Sequence, residues 1–84
     1  MNLGHYLAED RRIDESRAEY AEAVRSEPTN ADAHYGLAVL LAMQGRTDAA
    51  IAEYSEALRL KPDHAQAHAG LRAALARQGK VQGP

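Results

Sequence analysis

The side chains best equipped for chemistry in this sequence are histidines. His64 and His68 stand four residues apart, which on a helix puts both imidazoles on one face, a spacing able to hold zinc. Asp63 beside them offers a third, oxygen ligand. A catalytic centre would need a glutamate base or a further histidine close by, and the segment has neither. His34 and His68 fall at equivalent places in a repeated pattern, which assigns those two to packing and hydrogen bonding. No metal site is therefore expected. There is also no glycine-rich phosphate loop, no nucleophile with an adjacent base and no paired-carboxylate pocket. The chain lacks cysteine, so thiol catalysis, disulfides and cysteine-held metals are excluded. Neither an enzyme nor a cofactor is expected.

Composition narrows the field further. Eighty-four residues make one domain at most, near the size at which a single core leaves little stability. The formal net charge is −2, with acids and bases interspersed, so neither nucleic acid nor an acidic membrane meets a basic field. No apolar run approaches the roughly 18 residues a membrane span requires. The opening "MNLGHYLAED" has no basic segment before an apolar core, unlike a secretory leader. Localisation is left open, with the cytoplasm as the default.

The elements that carry these residues follow from a repeat. "YAEAVRSEPTNADAH" from Tyr20 and "YSEALRLKPDHAQAH" from Tyr54 agree at 8 of 15 positions. The shift that carries Tyr20 onto Tyr54 also aligns Leu3, Leu37 and Leu71, then Leu7, Leu41 and Leu75. It pairs Pro28 with Pro62 and Gln44–Gly45 with Gln78–Gly79. Within a period the apolar spacing is helical, as at Leu37, Leu40 and Leu41 or Ile51, Tyr54 and Leu58. Gly45 can take a left-handed C-terminal conformation, and Thr47 or Asp48 can cap the next helix. Pro28 and Pro62 each stop a helix, and Thr29, Asn30 or Asp63 can start the following one. Five helices are expected, over 2–10, 14–26, 30–44, 48–60 and 64–78. Gly36 and Gly70 fall mid-helix, where each costs about 1 kcal/mol against alanine. Either two helices or a ligand backbone must approach closely there, and close helix packing is favoured.

These residues resemble the tetratricopeptide repeat, a unit of two helices whose period is the one found here. Leu37, Ala38 and Leu41 match its first helix, and Ala50, Tyr54, Ala57 and Pro62 its second. Leu3, Gly4, Leu7, Ser16, Tyr20, Ala23 and Pro28 supply a partial first unit. The resemblance implies an all-α fold, a short α-solenoid of antiparallel helix pairs. Its units would be a truncated first repeat at 1–28, a complete second at 29–62, and a capping helix with tail at 63–84. Three departures stand out: the first helix begins at Met1, several residues into the family's frame, Arg11 replaces the glycine of "QGRTD", and Arg72 occupies the small-residue slot of Gly4 and Ala38. Arg72 argues for a terminal cap, with Leu71 and Leu75 inward and Arg72 and Arg77 in water, the alternative being that Arg72 snorkels past a following helix of a longer chain.

The resemblance further implies a concave groove for a peptide or helix of a partner protein. Its positions map to Asn2 and His5, to Asp32, Tyr35 and Val39, and to Gln66, Ala69 and Ala73. The lysine and asparagine set with which one subclass clamps a terminal carboxylate is missing, so a carboxylate clamp is not expected. Tyr35 either anchors a ligand or covers a neighbouring helix. The alternative reading is a structural, self-associating module, or a piece of a longer repeat protein, forming a homodimer through Leu3, Tyr6 and Leu7 on the first helix.

Overall fold

The computed structural model describes residues 3–79, with side chains described from residue 11 onward. It is all-α, and the described residues form four helices: α1 Leu3–Ser26, α2 Ala31–Met43, α3 Thr47–Leu60 and α4 Ala65–Gly79. Helix α2 packs on α1, α3 on α2 and α4 on α3, with α4 also reaching α2.

The turn after α2 shows why a helix ends where it does. Gly45 has φ +79°, Arg46 N–H donates to Leu41 O at 2.9 Å and Gly45 N–H to Ala42 O at 3.0 Å. This pair of bonds across a left-handed residue satisfies the last carbonyls of α2. A side chain in that conformation costs about 1–2 kcal/mol, so glycine makes the turn cheap. The equivalent position in the preceding period is Arg11. There the chain does not turn, and the two helices expected at 2–10 and 14–26 are one continuous α1. Four helices therefore stand where five were expected.

Prolines punctuate the other ends. Glu27 N–H reaches back to Ala23 O before Pro28, and Lys61 N–H to Ala57 O before Pro62, both at 2.8 Å. Asn30 then caps α2, its side chain accepting from Ala33 N–H at 3.1 Å. At the equivalent place His64, rather than Asp63, caps α4: its Nδ1 accepts from Ala67 N–H, also at 3.1 Å. Thr47 and Asp48 do not cap α3, whose cap position is Arg46 without a side-chain bond. Asp48 is engaged elsewhere, accepting from Gln78 Nε2 at 2.7 Å.

The core is built on small residues. Ala38, Ala50, Ala57 and Ala67 are fully buried, and around them sit Leu37, Leu41, Tyr54 and Ala74. Alanines at these points let helix backbones come close, while Leu37, Leu41 and Tyr54 supply most of the apolar area, each contributing about 1.5–3 kcal/mol. Helix α4 contributes Ala67, Ala74 and the half-buried Leu71 to this cluster. Leu75, expected inward, is 45% exposed, because no described helix lies on that side of α4. Arg72 and Arg77 are exposed.

Candidate protein-binding surface

The repeat recurs in bonds as well as in letters. His34 Nε2 meets Pro28 O at 3.0 Å, and His68 Nε2 meets Pro62 O at 2.8 Å. Gln44 Nε2 donates to Asp14 Oδ1 at 2.6 Å, matching Gln78 and Asp48 one period later. Arg25 pairs with Glu22 at 3.4 Å as Arg59 does with Glu56, although such exposed pairs add only tenths of a kcal/mol.

The same holds for the mid-helix glycines. A Cβ on Gly36 would stand 2.6 Å from Cζ of Tyr20, and one on Gly70 2.5 Å from Cζ and 2.8 Å from Oη of Tyr54. Each glycine therefore accepts the ring of a tyrosine from the preceding helix, which is the close helix packing that the cost of glycine pointed to. The two rings differ in surroundings, since Tyr54 is 5% exposed and Tyr20 41%. Burial, with Tyr35 close by, raises the Tyr54 phenol above its ordinary value.

His34, His64 and His68 each have hydrogen-bond partners within the fold. Because His64 Nδ1 accepts from Ala67 N–H, its proton lies on Nε2, which donates to Asp32 Oδ1 at 2.9 Å. His68 Nε2 points to the Pro62 carbonyl, so neither of these nitrogens faces the other. Among the described residues no group of three metal-ligating side chains occurs, and no helix is long and apolar enough to cross a membrane. His34 is buried with both ring nitrogens on acceptors, Nδ1 lying 2.7 Å from Glu53 Oε1. Only the doubly protonated ring donates to both. Burial opposes that charge, but the bonds to Glu53 and to the Pro28 carbonyl, with the charges of Glu53 and Glu56, outweigh it and raise the His34 pKa.

Two clefts open beside these elements and meet at Val39. One, of about 450 Å³, is lined by Tyr20, Asp32, Tyr35, Gly36, Val39, Leu40 and Gln66. The other, of about 310 Å³, lies between α2 and α4 and includes Val39, Met43, Tyr54, Gly70, Ala73 and Arg77. Of the groove positions mapped from the repeat, Asp32, Tyr35, Val39, Gln66 and Ala73 therefore line clefts, whereas Ala69 is exposed and lines neither. Asn2 lies outside the described residues, as do the side chains of His5, Leu3, Tyr6 and Leu7. Tyr35 serves partly as cover: its ring lies 5.1 Å from that of His64 and 6.0 Å from that of Tyr54. Met43 and Arg77 were not among the mapped positions. They lie one turn beyond Val39 and Ala73 and occupy the same repeat position, so extending the stripe by one helical turn in each unit would have found them. The floor is apolar, with the Asp32 carboxylate at one end and the Arg77 guanidinium at the other.

Comparison with known proteins agrees with this geometry. No curated protein matches the chain. A tetratricopeptide repeat family model matches residues 1–65 and, in a second placement, residues 44–83. The repeated glycine–tyrosine contacts, the helix ends at Pro28 and Pro62 and a family match across nearly the whole length lead to one conclusion: the chain belongs to the tetratricopeptide repeat family, a non-catalytic repeat that mediates protein–protein interaction.

Proposed function

We propose that the chain is a protein-binding adaptor that receives a peptide or helix of a partner along the line from Asp32 through Val39 to Arg77. The architecture belonging to this reading is a short α-solenoid of antiparallel helix pairs, divided at 1–28, 29–62 and 63–84, with α4 as the cap. The observation that carries it is the pair of clefts joined at Val39, apolar along their floor and bounded by opposite charges. A matching segment presents apolar side chains to Val39, Met43 and Ala73, an acidic residue to Arg77 and a basic one to Asp32. No lysine and asparagine set is available for a terminal carboxylate, so internal segments are as suitable as chain ends.

The test is selection from a library of random displayed peptides, followed by anisotropy titration of those selected. Peptides selected on the parent chain should carry the acid facing Arg77, and Arg77→Glu should shift the selected sequences towards a base there. Val39→Glu should weaken binding tenfold or more, about 1.4 kcal/mol or above. These two variants are preferred to Tyr35→Ala, which also removes packing from His64 and Tyr54. Peptides whose affinity ignores both Val39→Glu and Arg77→Glu would sink the assignment of this surface.

A further inference from the structure

The face of α1 over residues 14–26 repeats a face that is buried elsewhere in the chain. In α3, Ala50, Tyr54 and Ala57 are 0%, 5% and 0% exposed, packed on α2 across the Gly45 turn and, at Tyr54, also on Gly70 of α4. Their equivalents on α1 are Ser16, Tyr20 and Ala23, of which Tyr20 is 41% exposed and the others half-buried. The segment whose sequence matches α2 is Leu3–Asp10, with Leu3 and Leu7 at the positions of Leu37 and Leu41. Helix α1 is continuous from Leu3 to Ser26. At about 1.5 Å of rise per residue, residue 7 stands roughly 13.5 Å along the axis from residue 16. The segment made to cover this face cannot reach it within its own chain.

We infer that two copies exchange these segments: Leu3–Asp10 of each chain packs on residues 14–26 of the other, the two α1 helices running antiparallel and crossing near Arg11 and Arg12. A helix pair running antiparallel about the Gly45 turn sets Leu41 level with Ala50 and Leu37 level with Tyr54, all members of one buried cluster, and one period back this register becomes Leu7 against Ser16 and Leu3 against Tyr20 of the partner copy. Over residues 9–14 each copy brings Glu9, Asp10 and Asp14 to the crossing with Arg11 and Arg12, so the crossing holds acids and bases side by side. The exchange also sets His5, at the repeat position of Val39, beside the cleft that Tyr20 and Gly36 line, so a second copy completes one wall of that groove. The inference goes beyond the adaptor reading and does not depend on it, because its test contains no ligand.

The chain has no cysteine, which makes cross-linking clean. Leu7→Cys and Ser16→Cys variants are prepared separately, mixed and oxidised. A covalent heterodimer, well in excess of the homodimers either variant forms alone, is expected, since only the exchanged register brings position 7 of one chain to position 16 of another. Absence of that excess overturns the exchange. Light scattering on the unmodified chain should rise towards two chains with concentration, and a constant mass of one chain overturns it equally. Arg11→Gly restores the turn residue, lets Leu3–Asp10 fold back within its own chain and should weaken dimerisation at least about tenfold. If Arg11→Gly leaves the mass–concentration curve unchanged, any dimer is of another kind and the exchange is refuted.

Discussion

Gly36 and Gly70 occupy one repeat position, yet alanine at the two should have opposite effects. Alanine in a helix interior is favoured over glycine by about 1 kcal/mol. At Gly70 the added methyl would lie 2.5 Å from Cζ of Tyr54, far inside ordinary contact. Tyr54 is 5% exposed and belongs to the core with Leu37, Ala50 and Ala57, so its ring can yield only by displacing them. Overpacking of this kind costs about 1–3 kcal/mol. Subtracting the helix gain leaves Gly70→Ala less stable than the parent by about 1 kcal/mol and at most about 2. At Gly36 the methyl meets Tyr20, whose ring is 41% exposed and can swing into solvent. Gly36→Ala should then be neutral or gain up to about 1 kcal/mol. Urea denaturation followed by far-ultraviolet circular dichroism, at dilution, reads both. In melting temperature each kcal/mol is worth about 4–8 °C for a domain of this size. A double-mutant cycle isolates the cause: in a Tyr54→Leu background Gly70→Ala should become stabilising. Equal shifts for the two glycine variants, or a Gly70→Ala chain more stable than the parent, would refute the reasoning that tyrosine packing requires the glycine.

Two further outcomes follow from the histidines. The folded-state pKa of His34 is raised above 6.5, so its contribution is fully present below that value and is lost as pH rises through the folded pKa. Stability should fall as pH rises from about 6.5 through the raised folded-state pKa, Glu53→Gln should flatten that dependence, and a histidine NMR titration should show the His34 pKa falling in the same variant. His64 caps α4 through an unprotonated Nδ1, so His64→Ala should destabilise by about 1 kcal/mol or more. His64→Asn restores the residue type that caps α2 and should recover most of the loss in urea denaturation. An Asn variant no better than Ala would remove the capping role.

Much of the fold was legible because the signals that end its helices are local. Pro28, Pro62 and Gly45 each act through their own backbone, so the ends of α2, α3 and α4 fall within a residue of expectation. The continuous α1 has an equally local cause, the arginine at position 11. The periodic match of Leu3 and Leu7 to Leu37 and Leu41 argued for a separate helix, and the missing turn residue prevailed. Other features depend on what lies across from a residue. Histidine is a weak cap by type, and His64 takes the role with its other nitrogen held by Asp32, far away in sequence. Leu75 has the spacing of a core residue but nothing described to bury it. Tyr35, Val39 and Ala73 could be located from the register alone, whereas Met43 and Arg77 required following the groove one turn further along both helices.

The second wall of the cleft between α2 and α4 is a helix that gives the core two buried alanines, against three buried side chains each from α2 and α3. Helix α4 is held by two alanines and a half-buried leucine, by its histidine cap and by the Gln78–Asp48 bond. Among the described helices α4 is an outer one, and in a row of nearest-neighbour contacts the outer helices open before the middle ones. Any ligand lying against both Val39 and Ala73 then draws on the docked fraction of α4: its apparent affinity is the intrinsic one scaled by that fraction. Substitutions outside the cleft lining that loosen α4, at Gln78 or Asp48, would read as affinity changes although they remove no lining residue. Slowed amide exchange along Ala65–Gly79 on saturation would be the mark of occupancy.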